Sequence, residues 1–220
     1  MQNIDMTLVN FKNLENFVLN SFLAMGLRNE DAKIFTDALM FSELRFHSGQ
    51  GQGVQRITTY YKRIKNNEVN INIDLDIVKE SSSLALVDAK NGIGTVQASK
   101  CMDIAITKAK NEGIGQVIIK NSTHFGSSSV HAVRATKKNC IGIAYTNAGP
   151  EMAPWGSRRG GVGTNPWGIS CPTNRGYPLI LDIALTTAGK GMMRWHEREQ
   201  IPMPNAVSYT HLTLPTKVTV

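Results

Sequence analysis

The 220-residue chain is short of cysteine, of acid and of long hydrophobic runs. Its three cysteines, Cys101, Cys140 and Cys171, are far apart and odd in number, and no Cys-x-x-Cys pair occurs. That excludes a disulfide framework and a zinc knuckle, leaving three reduced thiols in or near a core and no expected metal site. No apolar run approaches the roughly 20 residues needed to cross a bilayer. The start, Met1 to Phe11, carries Asp5 and lacks the basic opening and long apolar stretch of a secretory leader. These absences predict a cytoplasmic protein with no membrane partner. Acidic residues number 17 against 24 basic ones, a net charge of +7 that raises nucleic acid as a partner. The basic residues are scattered, however. The densest groups, Lys62-Arg63-Ile64-Lys65 and Lys137-Lys138, read as solvated helix faces, so no nucleic acid is expected. A site handling an anionic cofactor and an anionic substrate accounts for the same excess.

What is present is an ordinary globular composition, 41% hydrophobic, on a chain long enough to bury a core without staples. The first third is helical. Phe11, Leu14, Phe17, Val18 and Phe22 recur at helix spacing and Gly26 stops the run. Asn29 suits the N-cap of a second helix that presents Ala32, Phe35, Ala38, Leu39 and Ser42 on one face and runs to about Leu44. A glycine-punctuated loop over 45–53 leads to a third helix with Val54, Ile57, Tyr60, Tyr61 and Ile64 on its buried side, closed by Asn66-Asn67. From about Ile73 short apolar runs alternate with helices: Leu84 to Val87, a helix from Thr95 to Asn111, Gly115 to Ile119, a helix from Ser128 to Lys138, Ile141 to Thr146, and a buried strand from Leu179 to Ile183. This alternation predicts an α/β layer architecture with a boundary near residue 75.

The final residues differ in character. Val207 to Thr216 back-translates into a string that resembles a transposon-end sequencing adapter, although its alternating Thr and Leu also suit a pleated strand. We read residues 207–220 as a non-native tail and end the fold near Ala206.

Three runs could carry chemistry. Asn121-Ser122-Thr123-His124-Phe125-Gly126 follows a predicted strand, where α/β proteins place ligands. An imidazole there can move a proton to or from an oxygen near neutral pH, or cap the next helix or bond the backbone. Gly160-Gly161-Val162-Gly163-Thr164-Asn165-Pro166 lacks the Gly-Lys-Ser/Thr of a P-loop, and Gly92-Ile93-Gly94 is followed by Gln97 instead of completing a dinucleotide fingerprint. Any cofactor is therefore not bound in the Rossmann way. Asp182-Ile183-Ala184-Leu185-Thr186-Thr187-Ala188-Gly189-Lys190 follows the last predicted strand, as a ligand segment or as a strand-to-helix turn capped by Asp182. Arg45 and Arg56 flank the glycine loop; a guanidinium there could fork a carboxylate, or be an ordinary surface charge.

These runs, with the loop from Asn147 to Pro154, occur in the same order in the malate/L-lactate/ureidoglycolate dehydrogenase family, which the chain resembles from about Leu14 to Pro204. The resemblance implies that family's non-Rossmann, mixed-sheet α/β fold with an N-terminal helical segment. It implies hydride transfer between NAD or NADP cofactors and a 2-oxoacid/2-hydroxyacid pair of the malate and lactate kind, by a homodimer. Residues 1–75 would be the helical segment of a substrate and dimerisation domain, and 76–206 an incomplete NAD(P)-binding domain. His124 matches the histidine that exchanges a proton with the reacting oxygen, and Arg56 the arginine that holds the substrate carboxylate. Asn147, Ala148, Thr164, Asn165, Asp182, Ile183, Ala184, Thr186 and Thr187 fall in segments that contact the cofactor. One departure stands out. Where relatives carry Ser-His-Gly, often assigned to catalysis, this chain has Gly51-Gln52-Gly53. Gln52 can donate a hydrogen bond but supplies no proton. His47 is the candidate replacement, or a solvent-facing loop residue. The alternative function is a non-catalytic ligand-binding protein on the same scaffold. Relatives continue past Pro204, so the fragment alone is expected to be inactive and poorly packed.

Overall fold

The computed structural model describes residues 8–45, 52–154, 156–157, 159–186 and 189–202, the Lys190 side chain excepted. Three helices come first: α1 (Phe11–Ala24), α2 (Asn29–Glu43) and α3 (Arg56–Lys65). Asn10 caps α1, its side chain accepting from the Asn13 N–H at 3.2 Å. Arg28, not Asn29, is the N-cap of α2. Its backbone N–H donates to Asn72 Oδ1 at 2.7 Å and its side chain reaches Asp31 and Asp74, so the cap is fixed by tertiary contacts that spacing does not reveal.

The three helices meet through aromatic rings. Phe22 of α1 stacks on Phe35 of α2 at 4.4 Å between centroids, and Phe35 meets Tyr60 of α3 edge-on at 4.6 Å. All three are fully buried, each contributing roughly 2–3 kcal/mol of apolar burial. Tyr61, expected on the same side, is half exposed, and Phe17 is exposed as well. Each lies next in sequence to, or one turn away from, the residue that does face the core.

The chain continues as β1 (Asp76–Glu80), β2 (Leu84–Asp88), α4 (Gly94–Glu112), β3 (Gln116–Lys120), α5 (Ser128–Thr136), β4 (Gly142–Tyr145), β5 (Trp167–Cys171), β6 (Leu179–Ile183) and α6 (Lys190–Arg198). Two three-stranded sheets form. In the first, β2 pairs antiparallel with β1 and parallel with β3; in the second, β5 lies antiparallel between β4 and β6. Ile93 and Val96, at the start of α4, join the aromatic core of α1 to α3, so helices and sheets share one apolar interior.

Helix α5 covers one face of the second sheet. A Cβ on Gly168 of β5 would sit 2.9 Å from the backbone of Ser128 and Ser129, which is why a glycine stands mid-strand. The opposite face carries Ile143 and Tyr145, Trp167 and Ile169, Leu181 and Ile183 in register across the three strands. Ile143, Tyr145, Leu181 and Ile183 are exposed. Strand β6 is therefore not buried as its apolar sequence suggests: α5 shields one side, and no described element covers the other.

Candidate active site

The first residue of α3, Arg56, and the loop from β3 to α5 bring the chemistry together. Side chains and a missing Cβ hold that loop from three directions. Thr123 Oγ1 donates to the Gly92 carbonyl at 2.8 Å and accepts from the Gly94 N–H at 3.0 Å, tying the loop to the start of α4. A Cβ on Gly94 would lie within 2.1 Å of the Thr123 carbonyl oxygen, so only glycine lets α4 approach so closely. Tyr60 Oη donates to the His124 carbonyl at 3.1 Å. Behind the loop, buried His131 of α5 bonds the Phe125 carbonyl through Nε2 at 2.7 Å and meets Ser99 Oγ through Nδ1 at 3.2 Å.

His124 itself is held through the backbone. The Gly126 N–H donates to its Nδ1 at 3.1 Å. A backbone N–H can only donate, so Nδ1 is an acceptor and the proton of a neutral ring sits on Nε2. That nitrogen faces Arg56, whose Nη2 is 3.4 Å away. Arg56 Nη2 also donates to Gln52 Oε1 at 3.4 Å. Two donors thus converge on one space, and an oxygen-rich anion placed there satisfies both.

The electrostatics agree. Burial, then the positive charge of Arg56, push the His124 imidazole down to about 3, while burial also lowers Arg56. Protein surrounds much of the His124 ring, yet the residue stays exposed to the cleft, and water there opposes full desolvation. The direction is what matters: the ring is neutral at pH 7. An anion against Arg56 cancels part of the repulsion and raises the proton affinity of His124.

The candidate cofactor residues line the same cleft: Asn147, Ala148, Thr164, Asn165, Asp182, Ile183, Ala184 and Thr186. Two of them spend side-chain atoms on the protein. Asp182 Oδ2 accepts from the Ser129 N–H at 2.9 Å and from Ser129 Oγ, so Asp182 caps α5 across the sheet and not a helix following its own strand. Asn165, with φ of 37°, accepts from the Ala148 N–H through Oδ1 at 2.9 Å. A Cβ on Gly163 would lie 2.4 Å from the Ala148 carbonyl oxygen, so these two cleft loops touch at backbone level. Thr186 Oγ1 is buried with no hydrogen-bond partner among the described residues, an orphan that a bound ligand would satisfy. The polar lining and the unsatisfied Thr186 hydroxyl would therefore fit a polar cofactor in this cleft. His47 and Thr187 lie outside the described residues, as does the 207–220 segment. Arg45 stacks on Phe41, 3.5 Å from its ring centroid, on the surface. Sequence reasoning missed Tyr60 as a support of His124, although it sits one helical turn after Arg56. It also missed His131, which spacing does not distinguish from an ordinary helix residue.

The chain is similar over most of its length to known dehydrogenases. A malate dehydrogenase of Pyrococcus abyssi is 37% identical over 191 residues, covering 86% of this chain and 52% of that protein. An L-sulfolactate dehydrogenase of Methanocaldococcus jannaschii is 33% identical over 205 residues, covering 93% of this chain and 59% of that protein. The solved malate dehydrogenase of Entamoeba histolytica superposes with a TM-score of 0.86 at 31% identity, over 90% of this chain and 55% of that one. The malate dehydrogenase structure from Pyrococcus horikoshii OT3 gives 0.81 at 35%, over 84% and 53%. The chain thus spans about half the length of the relatives it matches. A sequence model described as malate/L-lactate dehydrogenase matches residues 9–217, reaching into the stretch with the adapter-like pattern. The chain belongs to the malate/L-lactate dehydrogenase family.

Proposed function

We propose that this chain carries the proton-transfer and substrate-anchoring half of an NAD(P)-dependent oxidoreductase that interconverts 2-oxoacids and 2-hydroxyacids. The observation behind it is the pair of donors, His124 Nε2 and Arg56 Nη2, converging 3.4 Å apart on the cleft. Arg56 holds the substrate carboxylate, and its fixed fork turns the adjacent C2 oxygen toward His124. In reduction His124 donates a hydrogen bond and then a proton to that oxygen; in oxidation it takes the proton back. A bound nicotinamide supplies or accepts the hydride. Asn147, Ala148, Thr164, Thr186 and the turn after β6 hold that cofactor, with Asn165 and Asp182 shaping its bed from behind. Helical residues 1–75 contribute Arg56, and residues 76–206 contribute His124 and the cofactor bed, while residues 207–220 are non-native. By family resemblance the enzyme works as a cytoplasmic homodimer.

Titration of the purified chain with NADH and NADPH by fluorescence, with and without oxaloacetate, tests this reading. Cofactor binding that tightens with the 2-oxoacid, and an effect of the 2-oxoacid that vanishes in Arg56→Gln, is expected. Absence of binding by either nucleotide and by the 2-oxoacid overturns it. Gln52, where relatives have histidine, favours a second reading, a ligand-binding protein without turnover. That reading predicts binding with no hydride transfer in any variant. If instead there is turnover and it collapses in His47→Gln, His47 has taken over the proton role.

A further inference from the structure

The cleft does not stop at Arg56 and His124. It continues between the two sheets and encloses about 2420 Å³, well beyond the roughly 300–1,000 Å³ of a small-molecule site. Its walls are β3 and β4, each an edge strand of its own sheet. Helices α4 and α5 form the floor, where Ala98, Cys101, Ala105 and Ala135 line it with small side chains. Both walls present backbone groups to the gap. On β3 the Gln116 N–H donates to the Ser83 carbonyl at 2.9 Å, and the Lys120 carbonyl accepts from the Ala89 N–H at 3.0 Å. Residues 116, 118 and 120 therefore turn their backbone groups toward β2, and alternation turns those of Val117 and Ile119 toward the gap. On β4 the Thr146 N–H donates to the Pro166 carbonyl at 3.2 Å, so Gly142 and Ala144 turn toward β5 while Ile143 and Tyr145 turn away from it. Each wall thus offers two donors and two acceptors that no backbone group of the described residues bonds. Gln116 Nε2 reaches Tyr145 Oη at 3.2 Å across the gap, on its exposed side.

We propose that the gap between β3 and β4 receives one extended strand that joins the two sheets into one, drawn from the part of the polypeptide that relatives carry and this chain does not span. Neighbouring strands lie about 4.8 Å apart, so a single inserted strand pairs with both walls at once. A second copy of the chain cannot do this with its sheet edges. Strands β1 and β6 are already bonded on one side, to β2 and β5, and can satisfy only one wall. A helix has spent its backbone groups internally. The segment matches β3 and β4 in length, five and four residues. Alternate side chains meet the small residues of α4 and α5, which leave room for bulky apolar groups. The others lie between Ile118 and Ile143, both exposed as the chain stands. The segment is therefore apolar nearly throughout, as strands inside a sheet covered on both faces are. Its source follows from the lengths: the chain covers 53% of the Pyrococcus horikoshii structure and 59% of the Methanocaldococcus jannaschii enzyme, leaving a long unmatched stretch in each. The assignment does not depend on what Arg56 and His124 bind.

Amide hydrogen exchange followed by NMR tests the assignment. The full chain is produced alone, and together with the unmatched part of each of those two relatives as a separate polypeptide. The N–H groups of Val117, Ile119, Ile143 and Tyr145 read the gap, and those of Gln116 and Ala144, turned toward partner strands, are internal controls. In the chain alone the four should exchange fast. With a partner polypeptide all four should slow by at least about tenfold while the controls hold. Ile143→Pro removes one gap-facing donor and leaves the bonds between β4 and β5, so it should fold as the parent does by circular dichroism and lose most of the added protection. If that variant unfolds, exchange in the parent still decides. Failure of both partner polypeptides to protect the four groups overturns the assignment, and so does protection of one wall alone. Protection in the chain by itself that rises with its concentration overturns it in favour of a second copy.

Discussion

His131 makes the stability of this fold depend on pH in a way the structure lets one calculate. The ring is wholly enclosed, its Nε2–H donating to the Phe125 carbonyl and its Nδ1 accepting from Ser99 Oγ. Both partners are satisfied by the neutral ring. Burial accordingly pushes the group down from 6.5 to about 4, the Phe125 carbonyl working weakly in the other direction. In the unfolded chain the ring titrates at its ordinary value. Above pH 6.5 it is neutral in both states and costs nothing. As pH falls below 6.5 the unfolded chain takes up a proton that the native state refuses, and stability drops until the native ring titrates near 4. A gap of that width is worth about 3 kcal/mol, lost at no more than ~1.4 kcal/mol per pH unit. His124, also depressed, adds loss in the same direction, while Asp74 and Asp88, whose carboxyls are lowered, act only in more acid solution. Urea unfolding at half-unit steps from pH 7.5 to 4 measures the profile. His131→Gln keeps an amide donor for Phe125 and cannot titrate, so its profile should be flatter than the parent's by about 3 kcal/mol over that range. Parallel profiles for the two proteins refute the reasoning.

Other perturbations act closer to the site. Gly94→Ala drives a methyl into the Thr123 and His124 carbonyls, so a loss of ~1–3 kcal/mol in denaturant unfolding should accompany weaker 2-oxoacid binding. Tyr60→Phe removes the hydroxyl that holds the His124 carbonyl; a stability loss near 1 kcal/mol is expected, with a larger effect on 2-oxoacid affinity than on nucleotide affinity. On the open face of the second sheet, the double variant Ile143→Thr/Leu181→Thr should reduce dye binding and self-association in light scattering, because both side chains face solvent in register with Ile169.

The elements with strong periodicity were legible in the sequence. Helices α1, α2, α4 and α5 and strands β2, β3, β4 and β6 stand within a few residues of their expected spans, because an apolar stripe or run marks each. Strand β1, exposed along its whole length, carries no such mark, and β5 alternates its apolar residues with Gly168 and Ser170, small because α5 lies against them. Helix α6 has no span in the sequence reading, which stops at a possible strand-to-helix turn over 182–190; its contact with the start of α3 spans more than a hundred residues. The same distinction divides the site. Candidates that sit in a compact run, such as Asn121 to Gly126, can be picked out from order alone. The side chains that orient them cannot: Tyr60, Gly94 and His131 reach the His124 loop from three different helices.

That division bears on how the site works. The two donors that converge on the cleft, His124 Nε2 and Arg56 Nη2, come from elements far apart in sequence, and their 3.4 Å separation is set by neither residue. It is set by α3, which carries Arg56 at its first position and Tyr60 one turn later. One helix therefore supplies the Arg56 guanidinium and, through the Tyr60 hydroxyl, holds the backbone of the residue opposite it. Tyr60 in turn is held by the ring of Phe35 and by complete burial. A displacement of α3 would strain that hydrogen bond, because the His124 loop is also tied to the start of α4 and to His131. Substitutions within the Phe22, Phe35 and Tyr60 stack should accordingly lower stability, Phe35→Ala by roughly 3–5 kcal/mol in denaturant unfolding, and loosen the spacing of the two donors with it.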